Sequence, residues 1–244
     1  LLIRPLRFFA KRLFVHTMVC TNHEPVQKTK QIKRYSSSKF DRDDQKTAFY
    51  YYTKIKALSN NKKEESYKEA KKFIKKILKY LKLDKGSKIL DAACGRGRHS
   101  IEIEKLGYKV LGIDLSKNSI KKAKKNENEN LNFIIHDISI PLKSKFDAVF
   151  NLFTSFGYHN KKKDLDVLHA MEKNLKTGGI GIIDFFNINK IKKDLIENEI
   201  IIKKNIKFNI KRKVNQDYVN KSISFKDKKK QYNFNEKVNA LSLD

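Results

Sequence analysis

The sequence predicts an α/β fold: a doubly wound, mostly parallel sheet followed by an antiparallel β meander. Three observations predict it. Short apolar runs alternate with helical stretches from Lys88 to Phe186; the first run ends in a turn holding Gly95 and Gly97; and beyond Glu199 the pattern changes to short, charged, alternating segments. Near-continuous apolar strands such as DAVFNLF and GIGIIDFF are what a sheet covered on both faces requires. The order β, α, β, α, β then argues right-handed crossovers between parallel strands.

Taken in order, residues 1–45 form a basic segment expected to lack fixed structure. Up to Ser38 the only acid is Glu24, while Arg4, Arg7, Lys11 and Arg12 stud LLIRPLRFFAKRLFV. Arg4, Arg7 and Lys11 would share a helical face, and with KRYSSS this is the composition of an organellar transit peptide. The alternative is that this stretch lies upstream of the protein proper, with Met18 as the start. Glu65 to Leu83 repeats Ala70, Phe73, Ile74, Ile77, Leu78 and Leu81 at helical intervals, which predicts a helix laid on a core. Strands follow at Lys88–Ala93, Lys109–Leu115, Asn132–Ile138, Phe146–Phe153 and Gly179–Phe186. Helices are expected at Gly97–Leu106, Lys117–Lys125 and Lys162–Leu175, and one more at 188–197. From Glu199 to Leu243, IIIKKN, KFNIKRKV, KSISFKD and QYNFNEKVNAL predict an antiparallel meander with one wet face. The expected organisation is thus an α/β domain at 46–198 with 199–244 as a β appendage of the same domain.

With 244 residues the chain could bury one substantial core. Lys+Arg 55 against Asp+Glu 27 gives a formal charge of +28, which attracts nucleic acid or anionic membrane at long range. Solvated faces filled with Lys and Asn also account for such a charge, and that reading is favoured. Cys20 and Cys94 are the only cysteines, so neither a disulfide framework nor a cysteine-based zinc site is suggested, and a reducing compartment fits best. No apolar run approaches the roughly 18 residues of a membrane-spanning helix. The expected location is the cytoplasm, or the mitochondrion if the basic segment is a transit peptide.

In an open α/β sheet, ligands sit beyond the carboxyl ends of the strands, near the point where strand order reverses. Gly95 and Gly97 lie there. A dinucleotide fingerprint would be G-x-G-x-x-G, but GRGRHS has Ser100 at the third glycine's place, and a Walker loop is absent. Asp91 precedes Gly95 by four residues, where a carboxylate would repel a pyrophosphate and suit a positive centre. Asp114 ends the second strand, placed to accept the hydroxyls of a ribose. Asp137 follows in FIIHDIS, within plausible reach of a purine amino group. Three acids at three successive strand ends fit a cationic nucleoside better than a nicotinamide dinucleotide.

ILDAACGRGRHS, VLGIDLS, FIIHDIS, FDAVFNLFTSFGYHN and LKTGGIGIIDFFN, in that order, resemble the five motifs of the class I S-adenosylmethionine-dependent methyltransferases, and most of all small-molecule bacterial enzymes with the NLFTSFGY signature. The resemblance covers about Ile74 to Leu243. It implies a Rossmann-like methyltransferase fold, S-adenosyl-L-methionine as cofactor and no metal. By the same resemblance Asp91, Gly95 and Gly97 would surround the methionine part, Asp114 the ribose, and Asp137 with Ile138 the adenine, with Ala93 and Leu115 also among the cofactor-binding residues. Asn151 and Leu152 would face the reactive methyl. Two departures stand out. FYYYTKIKALSNNKKEE offers Tyr50, Tyr51 and Tyr52 but no Arg for the lid of such enzymes. The antiparallel strands that close the family's sheet are not found before Asp244, which leads to the expectation of a C-terminal truncation.

Methyl transfer is an in-line displacement, so the protein mainly positions two reactants. A general base matters only for an acceptor that starts protonated; His159 and His136 are the imidazole candidates, and Asn151 joins His159 as a candidate catalytic residue. Surface or supporting roles for these histidines are the stronger reading. Tyr158 and Phe156 could line the acceptor pocket, Arg98 and His99 could touch cofactor or acceptor, and Cys94 reads as a small packing residue. The leading functional expectation is methyl transfer to a small molecule. RNA or DNA methylation is the enzymatic alternative, although NLFTS lacks the Asn/Asp-Pro-Pro-Tyr/Phe pattern of amino-methylating nucleic-acid enzymes. A catalytically silent cofactor-binding protein is the third.

Overall fold

The computed structural model describes residues 2–10, 13–21, 61–153, 155–158, 160–203, 205–227 and 230–240, with side chains from Tyr67 onward. It divides into two compact units, one running to Glu24 and resuming at Glu64–Lys190, the other containing Ile191 onward.

The first unit is built on a seven-stranded sheet. Its strands are β1 (Leu2–Ala10), β2 (Leu13–Thr21), β3 (Lys88–Ala92), β4 (Lys109–Asp114), β5 (Leu131–Ile135), β6 (Phe146–Asn151) and β7 (Leu175–Phe186). The order is β1-β2-β7-β6-β3-β4-β5. All pairings among β3 to β7 are parallel. From β3 the chain steps outward to β4 and β5 on one side, then returns to β6 and β7 on the other. The order thus reverses at β3, and the crevice beyond its carboxyl end is where this topology places a ligand.

The helices are α1 (Asn61–Leu81), α2 (Arg98–Glu104), α3 (Lys117–Ala123), α4 (Lys161–Asn174) and α5 (Ile188–Lys193), of which α2, α3 and α4 lie wholly in the first unit. The apolar stripe read from the sequence is the buried face of α1: Ala70 is buried, and Ile74, Ile77 and Leu78 share a core cluster with Ile89, Phe133 and Phe150 of the strands. Three helices open on side-chain caps, as polar residues at those positions predict; one is Asn187, whose Oδ1 accepts the Lys190 amide at 3.1 Å ahead of α5. Ser116 accepts from the Ser119 amide ahead of α3, and Asn160 from the Lys163 amide ahead of α4.

The start of the chain differs from expectation. Leu2–Ala10 and Leu13–Thr21 are strands: β1 and β2 pair antiparallel from Leu2↔Thr21 to Ala10↔Leu13, and β2 pairs antiparallel with β7 from Thr21↔Ile180 to Val15↔Phe186. Branched and aromatic residues in LFVHTMVCT suit a strand, and Pro5, which has no amide hydrogen to donate, sits in the edge strand. Antiparallel strands beside the last parallel strand are therefore present, supplied by the beginning of the chain. Residues 22–45 lie outside the described residues.

In the second unit, β8 (Asn198–Lys203), β9 (Ile206–Val214), β10 (Tyr218–Asp227) and β11 (Lys230–Asn239) form the expected antiparallel meander. Phe225 pairs across the sheet with Phe208 and Tyr232, their ring centroids 4.7 and 4.9 Å away. These rings with Ile210 and Ile223 are the apolar face that holds the sheet together.

Candidate functional site

The turn after β3 is built from left-handed backbone. Ala93 has φ 66°, Gly95 58° and Gly97 75°. The two glycines serve different ends. A Cβ on Gly97 would meet the Phe133 ring at 2.5 Å, so the residue is small because β5 packs beneath it. A Cβ on Gly95 would meet nothing within 4 Å, so that face of the turn is open for a ligand to approach. Gly112 of β4 completes the bed: a Cβ there would lie 2.5 Å from Phe133 and 2.9 Å from the Cys94 sulfur. Cys94 itself is buried, and burial pushes its thiol upward, which keeps it protonated and fits the packing role expected of it.

Asp114 ties the turn to the tip of β4. Its Oδ2 accepts the Gly95 amide at 2.9 Å and its Oδ1 the Ser116 amide at 2.7 Å, while the residue stays half-exposed. Asp91 is placed otherwise. It is only 1% exposed and accepts a 2.5 Å bond from the Ser100 hydroxyl. Burial raises its carboxyl to about 6, against the lowering effect of the hydroxyl and amide of Ser100. Ser100, noted in the sequence only as a missing glycine, thus fastens α2 to the end of β3. Asp91 shapes the turn from beneath, and Asp114 is the acid left open to solvent.

Asp137 follows β5 in a turn of its own, accepting the Ser139 amide and hydroxyl on Oδ1 and the Lys163 ammonium at 3.1 Å on Oδ2. Although partial burial works upward, these bonds and the Lys163 charge hold its carboxyl down at about 2. Leu115 is exposed and Ile138 half-exposed, as apolar surfaces for a flat ring would be. Asn151 ends β6 fully buried; its amide donates to the Ala92 carbonyl at 3.1 Å, and its Oδ1 has no partner among the described residues. A buried acceptor without a partner is costly and marks a place where a bound group could supply one. Leu152 and Phe156 are buried beside it and Tyr158 is exposed.

Of the other sequence candidates, His136 bonds through Nε2 to the Ile140 carbonyl at 2.8 Å within its own loop, and His159 lies outside the described residues. His99 is buried against the rings of Phe73 and Phe153, at 6.2 and 5.6 Å. Burial, with Arg98 adding to it, pushes its imidazole down to about 3, so it is neutral at physiological pH. Sequence reasoning missed Asp184, 3% exposed near the end of β7, whose Oδ2 accepts the Phe153 amide at 2.9 Å. The visible signal was an acid inside the apolar run GIGIIDFF, which has no place in a strand buried on both faces unless something holds it.

A parallel sheet whose order reverses at β3, with a glycine turn open on one side and an acid at the second strand's tip, defines a Rossmann-like α/β domain. The chain belongs to the methyltransferase domain family, which matches residues 83–239. It is 29% identical over 100 residues to a probable S-adenosyl-L-methionine-dependent methyltransferase, TehB, of Haemophilus influenzae, a stretch that is 39% of this chain and 35% of that relative. The chain thus spans only about a third of that relative's length. In structure it resembles an S-adenosylmethionine-dependent methyltransferase from Clostridium acetobutylicum, with TM-score 0.60 and 23% identity over 81% of this chain and 82% of the other. It also resembles the sugar N-methyltransferase KedS8 of Streptoalloteichus, with TM-score 0.54 and 15% identity over 91% and 86% of the two chains. Among the described residues no helix is long and apolar enough to cross a membrane, and no cluster of three or more metal-ligating side chains occurs.

Proposed function

We propose that the chain transfers a methyl group from S-adenosyl-L-methionine to a small-molecule acceptor. The observation that carries the reading is the open face of Gly95, bridged by its amide to the half-exposed Asp114. A polar ligand with vicinal hydroxyls fits an acceptor carboxylate at that position, and no lysine or third glycine is present to cradle phosphates. The cofactor, when bound, supplies an electrophilic methyl on a sulfonium centre.

The chain's own groups then position. The Gly95 face and Ala93, supported by Asp91 and Gly97 from below, would take the methionine part; Asp114 and Leu115 the ribose; Ile138 and Asp137 the adenine. Asn151 Oδ1, at the end of β6 and unpartnered, would orient the groups nearest the reacting carbon, with Leu152 excluding water beside it. Neutral His99 offers no charge to repel the sulfonium. His159 remains the proposed proton acceptor for an acceptor that begins protonated. The test is incubation with methyl-labelled S-adenosylmethionine and a panel of small hydroxylated, amino and thiol acceptors, with RNA and DNA as separate arms. Label in a small molecule supports the reading. Label confined to nucleic acid would replace it with the alternative enzymatic one.

A further inference from the structure

Asp184 is the buried carboxyl that the site as described leaves without a task. Its Oδ2 accepts the Phe153 amide at 2.9 Å, joining positions 31 apart in sequence, and its Oδ1 has no partner among the described residues. Phe153 sits two residues beyond Asn151 with left-handed backbone, φ 66°, which an L-residue adopts only when something holds it. Its ring is 57% exposed, an unusual state for phenylalanine, and its inner face is spoken for. The Arg98 guanidinium lies 4.5 Å from the ring centroid and the His99 ring 5.6 Å from it. Arg98 and His99 directly follow Gly97, so the ring is anchored against the first turn of α2.

We propose that Asp184 is a positioning residue of the methyl-transfer site: by holding the Phe153 amide it fixes the exposed ring that packs on Arg98 and His99 and forms an aromatic wall on the acceptor side. The inference rests on the methyl-transfer reading for what the wall serves, and on the hydrogen bond and ring contacts for its existence. A strand end with an ordinary apolar residue at position 184 would leave the Phe153 amide unpaired and its left-handed backbone unsupported. The carboxylate reaches across from β7 to supply the acceptor. Asn151, the last residue of β6, pairs in register with Ile183, so Asp184 lies one residue beyond that pairing on the neighbouring strand β7, and each of Asn151 and Asp184 has a buried oxygen without a partner among the described residues.

The chain has no tryptophan, so Phe153→Trp installs a single fluorescent reporter at the wall. In that background Asp184→Asn, which keeps an oxygen acceptor of the same reach, is expected to leave emission maximum and acrylamide quenching unchanged. Asp184→Ala, or Asp184→Leu if alanine does not fold, is expected to raise the quenching constant about twofold or more, because the segment loses its anchor while far-UV circular dichroism stays native. Affinity for S-adenosylhomocysteine, seated on Gly95 and Asp114, should change less than about twofold in all variants. Unchanged quenching in a folded Asp184→Leu protein would overturn the proposal, as would Asn behaving like Leu. Failure of the parent to bind S-adenosylhomocysteine would count against the cofactor reading alone, since the quenching comparison judges Asp184 independently.

Discussion

Ala93 and Gly97 occupy the same left-handed region of backbone space, yet substitution should act on them in opposite directions. Ala93→Gly relieves the αL cost of a Cβ, about 1–2 kcal/mol, against an entropic loss of about 0.5–1 kcal/mol, so a gain of about 0.5–1 kcal/mol in urea unfolding is expected. Gly97→Ala adds both backbone strain and a Cβ driven into Phe133, and should cost about 2–4 kcal/mol. Gly95→Ala, with open space above it, should cost only the strain, about 1–2 kcal/mol, while weakening cofactor binding. The sequence showed where the glycines are; it did not show which packs and which is left open, because that depends on Phe133 arriving from a strand 36 to 38 residues away. Asp184 carries a pH signature of its own. Burial raises its carboxyl from 3.8 to about 7, against the opposing Phe153 bond. The unfolded chain releases this proton near 3.8 and the folded chain holds it to about 7, so stability falls as pH rises through that window. Asp184→Asn should abolish that component. Its melting temperature should match the parent near pH 4 and exceed it near pH 8.

Elements were legible where periodicity was strong and ended early where a side chain competed with the backbone ladder. The helix expected over 65–83 is Asn61–Leu81, and the four meander segments emerge as four strands. The strand expected to reach Ile138 stops at Ile135, because the Asp137 carboxylate draws the Ser139 amide into a turn. The strand expected to reach Phe153 stops at Asn151, two residues before Phe153, whose backbone is left-handed. Neither effect is visible to hydrophobic patterning. The link between β3 and α2 was likewise hidden, since it rests on one hydroxyl. Ser100→Ala should cost about 1–3 kcal/mol, the penalty for leaving the buried Asp91 carboxyl without that donor. Restoration of stability by Asp91→Asn in the same variant would identify the charge as the cause. The N-terminal strands were missed for another reason: Arg and Lys at helical spacing drew attention away from the branched and aromatic residues between them, and only the unpaired edge of β7 reveals what those residues pair with.

At the scale of the molecule, the sheet's edge and its charge both yield expectations. Removing residues 1–21 would uncover the edge of β7, whose Ile182, Ile183, Phe185 and Phe186 are buried in the intact protein. An exposed apolar edge strand recruits other chains, so the shortened protein should aggregate, as static light scattering would show. The charge of +28 should give binding to heparin or RNA that weakens steeply with salt, without methyl incorporation, as counterion release requires. The fold class was readable because the alternation of apolar strands and helices encodes it. The position of Phe153 was not, since it is held by contacts from β7 and from the first turn of α2.

Calorimetric titration of S-adenosylhomocysteine into the parent protein and into Asp114→Ala decides whether the Gly95 turn and Asp114 seat S-adenosylmethionine. Loss of charge-assisted hydrogen bonds worth about 1.5–3 kcal/mol predicts saturable binding by the parent that weakens by at least about tenfold in the variant. No binding by a folded parent, or equal binding by both, would contradict that placement.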